Sequence, residues 1–312
     1  MRGVRWAREV MDRLVQSACI RLMGGLGNQL FQYGFGVRLA NGGDDVHFDF
    51  ENGFRRDSYQ RTYALETLRV RAQAAPHSAM PIGMAWRPPF HRLAKLLWSL
   101  YPKPWRTVFY EKSPFGYDPE AIDSSGSHRY YFGYWQNPIY IEPVEDRLRK
   151  DLCLRHESEA FRSLRDEMKR TDSISVHVRR YHDLDRAGDV ISKAAGIHGT
   201  CELVYYARAL KFIPKTSKFR VFVFTDCLEW AKQHLQLGND FRYVADLGAF
   251  SDTEEMILMA SCQHHVISNS SFGWWGAWLG NNPRKVVVAP KVWNKSFLGD
   301  QAGVCPAGWI RL

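Results

Sequence analysis

The sequence predicts an α/β protein made of two Rossmann-like halves, and three observations carry that prediction. The chain has 312 residues, which is about two domains of ordinary size. Apolar strands alternate with amphipathic helices after Cys19 and again from Ser173 onward, the order that builds parallel α/β units. The run Phe219 to Phe224 is almost wholly apolar, as in strands covered on both faces of a parallel sheet.

The elements follow in order. Residues 1–16 read as a basic amphipathic helix, with Val4, Ala7, Val10, Met11, Leu14 and Val15 on one face and Arg2, Arg5, Arg8 and Arg13 beside it. A strand is expected from Cys19 to Met23, then a glycine-rich turn, a helix from Gln29 to Ala40 and a strand from Val46 to Phe50. The stretch 76–106 is proline-rich around a helix at 90–100, which places Arg92 and Lys95 beside an apolar stripe. Tyr130 to Trp135 reads as a short strand or loop, and 142–151 and 157–169 as helices.

The second series has strands at 173–178, 219–224, 242–244, 265–268 and 285–289. Its helices are expected at 201–212, 228–235, 253–261 and 274–279. This divides the chain into a basic helix (1–18), an acceptor-side α/β domain (19–170) and a donor-binding α/β domain (171–312).

Composition narrows the partners. Lys and Arg number 42 against 33 acids, a net charge of +9 that favours an anionic partner. There is no zinc-finger, RNP or helix-turn-helix pattern and no long basic run, so nucleic acid is not expected. The six Cys are scattered without a C-x-x-C pair and are expected as free, buried thiols. No apolar run reaches 18 residues, and charges interrupt the first 19. These features lead us to expect a cytoplasmic protein, with peripheral contact to anionic lipid through the helices at 1–16 and 90–100.

Four strand ends carry residues suited to a nucleotide. Gly24-Gly25-Leu26-Gly27-Asn28-Gln29 opens a helix; glycines admit a ligand close to the backbone and the helix start offers N–H groups to a diphosphate. The spacing is not that of a dinucleotide fingerprint, and a tight turn capped by Asn28 is the plain structural alternative. His177-Val178-Arg179-Arg180 ends a strand, where ligands of open α/β sheets bind. Alternation puts His177 and Arg179 to one side and Arg180 to the other, and guanidiniums suit phosphate oxygens.

Asn269-Ser270-Ser271-Phe272 opens a further helix, with Ser270 and Ser271 able to cap it or bind phosphate, and Trp275 and Trp278 reading as core. Thr225-Asp226 ends the buried strand, where an acid suits a ribose or base N–H, or a helix cap. Asp183-Leu184-Asp185 has the form of a D-x-D metal pair, but Arg179 and Arg180 can already neutralise a diphosphate, so no obligatory metal is expected.

These segments resemble the α-1,2-fucosyltransferases of glycosyltransferase family 11. Added to them are Tyr131-Phe132-Gly133-Tyr134-Trp135-Gln136, Met259 to Cys262, Ile267 to Leu279, Ala289 to Trp293 and Gly308 to Ile310, spanning residues 20–311. The resemblance implies a GT-B-like fold, two α/β domains facing a cleft. It implies GDP-β-L-fucose as donor and inversion at the anomeric carbon, with a galactose-containing glycan expected as acceptor; the cationic helices at 1–16 and 90–100 suggest a lipid-linked one. It further implies that Arg179 and Arg180 hold the diphosphate and Asp226 the nucleoside. Gly25, Gly27, Asn28, Gln29, Asn269, Ser270, Ser271 and Phe272 then face the donor, and Tyr134, Trp135 and Gln136 the acceptor.

His177 and Asp183 are the candidate bases. One departure stands out: the family continues after the second Arg with Gly-Asp, whereas here Tyr181-His182-Asp183 follows, which predicts loss of a glycine turn. Rival readings are a transferase for another GDP-sugar or acceptor, and a carbohydrate- or nucleotide-binding homologue without the activity.

Overall fold

The computed structural model describes residues 17–55, 57–76, 108–123, 129–181, 193–214, 219–235, 237–238 and 240–312. The helices expected at 1–16 and 90–100, and Asp183 with Asp185, lie outside the described residues.

The first half is β1 (Ser17–Arg21), α1 (Leu26–Asn41), β2 (Asp45–Asp49), β3 (Val108–Tyr110) and β4 (Arg129–Phe132). These strands form one parallel sheet in the order β2-β1-β4-β3. α1 is hydrophobic or small on nearly every side and is buried accordingly, with Leu30, Phe31 and Phe35 at 0% exposure. Its Gly25 N-cap makes no side-chain bond, so burial and not capping holds it.

Two helices join the halves, α2 (Glu145–Asp151) and α3 (Glu159–Arg170). The expected helix over 142–151 begins as a 3-10 turn at Glu142–Val144, where Pro143 supplies no N–H. α3 starts where the Ser158 hydroxyl accepts from the Phe161 N–H.

The second half runs β5 (Asp172–Val178), α4 (Lys193–His198), α5 (Leu203–Ala209), β6 (Phe219–Thr225), α6 (Leu228–His234), β7 (Phe241–Tyr243), α7 (Asp252–Ala260), β8 (His264–Val266), α8 (Ser271–Leu279), β9 (Val287–Ala289) and β10 (Ile310–Arg311). Its six strands form a second parallel sheet, ordered β10-β9-β8-β5-β6-β7. The expected α/β architecture with two parallel sheets is what the chain adopts. β3, β10 and α4 were not anticipated: each is too short to carry a periodic pattern.

One apolar core spans both sheets. The Phe31 ring on α1 lies 4.6 Å from that of Trp274 and 5.0 Å from that of Trp275 on α8. Each such ring removes on the order of 200 Å² from water, about 5 kcal/mol before ordering entropy is subtracted. All six Cys are free, but Cys153 is exposed and Cys227 half-buried, which corrects the expectation that every thiol is enclosed. No helix among the described residues is long and apolar enough to cross a membrane.

Candidate functional site

Each sheet has one place where its strand order reverses. In the first, β1 leads outward to β2, and the chain returns to place β4 on the other flank of β1. In the second, β5 leads to β6 and β7, and β8 returns to the other flank of β5. Ligands of open α/β sheets settle at such reversals, outside the carboxyl ends of the strands. The two reversals meet. A Cβ on Gly27, after β1, would stand 2.5 Å from the Ser271 carbonyl carbon and 2.6 Å from the Phe272 nitrogen, after β8. Only glycine permits that approach. The Trp275 indole donates to the Gly27 carbonyl at 3.0 Å, and the Ser271 hydroxyl to Asn28 Oδ1 at 2.9 Å.

At the second reversal, Arg179 and Arg180 leave β5 opposite Asp226, which follows β6. Asp226 Oδ1 accepts from the Arg180 backbone N–H at 2.8 Å, and Oδ2 pairs with Arg179 Nη1 at 3.3 Å. The acid expected to touch a nucleoside thus organises the Arg pair. The side chains diverge, as alternation requires. Arg179 lies over the Tyr181 ring at 4.9 Å. Arg180 turns toward α6, 4.0 Å over the Trp230 ring, and donates to the Thr200 hydroxyl at 3.2 Å. Neither Trp230 nor Thr200 was singled out in the sequence; an aromatic two positions into a helix carries no local mark of what it stacks on.

Tyr181 corrects the expected loss of the turn. Its φ is +61°, so the left-handed conformation persists where the family has glycine. A tyrosine there costs about 1 kcal/mol in backbone strain. Its ring offsets this: it is 8% exposed, stacks on His198 at 5.3 Å, and its hydroxyl donates to the Asn269 carbonyl at 3.2 Å.

Asn269 in turn is buried and donates through Nδ2 to the carbonyls of His198, Gly199 and Trp293, pinning that loop instead of reaching outward. Ser270 is the N-cap of α8 without a side-chain bond, so the predicted cap is not made by either serine hydroxyl. Ser270, Ser271 and Phe272 are all half-buried at the reversal.

His177 is enclosed. It is 4% exposed, its Nδ1 lies 2.9 Å from the Ser268 hydroxyl, and its ring packs against Phe272 at 5.5 Å. Burial, reinforced by the Arg179 charge, pushes its pKa down to about 3. An imidazole so covered and so weakly basic is poorly placed to take a proton from an acceptor.

At the first reversal, Asn28 Oδ1 also accepts from Gln136 Nε2 at 2.6 Å, which ties the α1 start to the segment after β4. Gln29 is 0% exposed and fully used: Nε2 donates to the carbonyls of Gly24 and Thr62, and Oε1 accepts from the Ala64 N–H. Trp135 is core, 0% exposed and stacked 4.2 Å from Phe35, so of the predicted acceptor residues only Tyr134 retains partial exposure beyond a buried Gln136.

Glu111, at the end of β3, was missed by the sequence reading. Its two carboxylate oxygens accept from the Tyr134 and Trp135 N–H groups at 2.7 and 2.8 Å, and Trp135 holds a φ of +59° there. Burial pushes the Glu111 pKa up to about 7, partly countered by those two donors. Among the described residues no group of three or more His, Cys, Asp or Glu could hold a metal ion.

Comparison with known proteins gives these features a lineage. The family model described as glycosyl transferase family 11 matches residues 106–312. An α-1,2-colitosyltransferase of Escherichia coli is 28% identical over 307 residues, covering 94% of this chain and 97% of that protein. The O-antigen biosynthesis glycosyltransferase WbnK of Escherichia coli is 29% identical over 192 residues, 58% of this chain and 60% of that one. Among solved structures, a NodZ α-1,6-fucosyltransferase soaked with GDP-fucose superposes with a TM-score of 0.50 at 17% identity, over 88% of this chain and 94% of that chain. That likeness shows the fold, which is of GT-B type. With the family model matched across the whole second sheet and part of the first, the chain belongs to glycosyl transferase family 11.

Proposed function

We propose that this glycosyltransferase uses GDP-β-L-fucose, inverts the anomeric carbon, and builds an α-1,2 linkage onto a glycan hydroxyl, a galactose 2-OH. The observation that supports the reading best is the Arg179–Arg180–Asp226 arrangement at the β5/β8 reversal, beside the start of α8. In the proposed reaction the acceptor oxygen attacks the sugar carbon opposite the nucleotide. The carbon–oxygen bond to the phosphate breaks, its electron pair goes to the phosphate oxygen, and the acceptor's proton is released to solvent. Guanidinium and helix N–H groups then meet the growing negative charge. Gly25, Gly27 and Asn28 approach from the first sheet, and Tyr134 and Gln136 lie on its acceptor side. No metal is required in this reading; activity in excess chelator is the expected outcome.

The test is transfer from GDP-fucose to a panel of galactosides. Arg180→Ala is expected to stay folded, to bind GDP more weakly and to lose on the order of 10²–10³ in rate. Unchanged turnover removes its role.

A second reading of the sugar is favoured by the E. coli relative, whose name makes it an α-1,2-colitosyltransferase and which aligns over 94% of this chain. Colitose is fucose without its 3-hydroxyl. A site built to hydrogen-bond that hydroxyl rejects the sugar lacking it by orders of magnitude. Comparing kcat/KM for GDP-fucose and GDP-colitose therefore separates the two.

A further inference from the structure

The positive charge at the meeting of the two sheets exceeds what the Arg179–Arg180 pair supplies. Arg61, in the first half, places its guanidinium directly over the start of α1: a Cβ on Gly25 would stand 2.0 Å from Arg61 Nη1. From the second half, Arg179 approaches the same region. Burial, then Arg179, then Arg61 hold the His198 pKa below its ordinary value, so both cations lie within electrostatic reach of one imidazole. Arg61 also bears on Tyr134, the half-buried residue at the end of β4.

Arg179 is matched by Asp226. Arg61 has no carboxylate in ion-pair range among the described residues; its guanidinium lies 5.6 Å from the Tyr59 ring. Oδ2 of the nearby Asp57 accepts from the N–H groups of Tyr59 and Arg61. A guanidinium laid over a helix start, outside ion-pair range of any carboxylate among the described residues, is a place where an incoming anion gains.

The placement is built, not incidental. Gln60, just before Arg61, holds a φ of +53°. The next residues are fastened by the buried Gln29, which donates to the Thr62 carbonyl at 2.9 Å and accepts from the Ala64 N–H at 2.9 Å. The same Gln29 amide donates to the Gly24 carbonyl, so one side chain fastens both the glycine turn and the loop that follows Arg61.

We propose that Arg61 is a third cation for the distal phosphate of the donor nucleotide, delivered from the first sheet, and that Gln29 is its positioning residue. This rests on the GDP-sugar reading above. As the sugar–oxygen bond breaks and the electron pair passes to the phosphate oxygen, Arg61 stabilises that oxygen from the side opposite Arg179.

The experiment measures binding of GDP and of GMP by calorimetry, and transfer from GDP-fucose, for the wild type, Arg61→Gln and Arg61→Lys. Arg61→Gln is expected to weaken GDP about tenfold or more, as loss of a charge-assisted bond does, while GMP binding changes little. Its kcat is expected to fall about 10²-fold with acceptor KM unchanged. Arg61→Lys keeps the charge and recovers part of the loss, which a folding defect would not allow. Equal weakening of GDP and GMP, or an unchanged kcat, overturns the assignment of Arg61. A wild type that binds no GDP overturns the donor reading itself, and this inference with it.

Discussion

The two strand-order reversals do the same architectural job with opposite chemistry. At the first, carboxylates are turned inward: Glu111 takes two backbone N–H groups, and Asp49 accepts from Glu51, Asn52 and the Tyr130 hydroxyl. At the second, guanidiniums are presented and Asp226 bonds Arg179 and the Arg180 backbone. The difference shows how a shared fold splits its labour. Acids that accept from backbone amides and a buried hydroxyl fix the shape of a loop, and Asp49 keeps its charge there because those donors hold its pKa down. At the second reversal the guanidiniums of the two residues that Asp226 bonds are suited to an incoming anion.

The comparison breaks most severely where the two reversals touch. Gly27→Ala puts a methyl 2.5 Å from the Ser271 backbone, which cannot retreat without moving α8. Loss of about 3 kcal/mol in stability and of transfer activity is expected, measured by denaturant unfolding and turnover. A variant as stable as the wild type would show that the halves slide freely.

Asp226→Asn tests the ordering acid. It removes the Asp226 charge beside a largely enclosed Arg179, so a loss of about 2–3 kcal/mol is expected, together with weaker GDP binding. Full retention of nucleotide affinity would mean that the Arg pair holds its own shape.

Glu111→Gln tests the other reversal. One of the two backbone N–H groups then faces an amide donor, which costs about 1–2 kcal/mol. The sign with pH is set by the raised pKa. A carboxyl raised from 4.5 to about 7 on folding binds its proton more tightly in the folded state, so its contribution is fully present below pH 4.5 and is lost as pH rises through about 7. Unfolding free energies across that window should therefore fall with pH in the wild type and fall less in the variant; parallel curves would refute this.

The smallest effect is expected from Tyr181→Gly, which restores the family's residue. Relief of the positive φ offsets part of the lost ring contacts, leaving a net loss of about 1 kcal/mol in the thermal unfolding midpoint analysis. A gain in stability would show that the ring contributes nothing.

Much of this was legible in the residues. The apolar run at Phe219–Phe224 sits inside β6, and the glycine-rich and Asn-Ser-Ser turns do open helices at strand ends. These are local properties: burial on both faces selects apolar side chains, and a helix start requires particular backbone angles. What escaped were residues whose importance is relational. Glu111 stands after a three-residue strand and matters because β3 lies beside β4. Arg61 sits in an irregular loop and matters because Gln29 fastens that loop to α1. Asn269, Gln29 and Trp135 carried suggestive motifs but are spent in the interior, since a motif specifies residue type and not the direction a side chain faces.

By itself, then, the sequence determined the α/β class, the parallel sheets and the strand ends where polar chemistry gathers, because periodicity and turn residues act over a few positions. Only the tertiary structure decided that the two reversals abut through Gly27 and Ser271, and that the Arg61 guanidinium lies over the start of α1. Contacts between residues separated by more than a hundred positions arise from packing two sheets over one core, and no local pattern encodes that geometry.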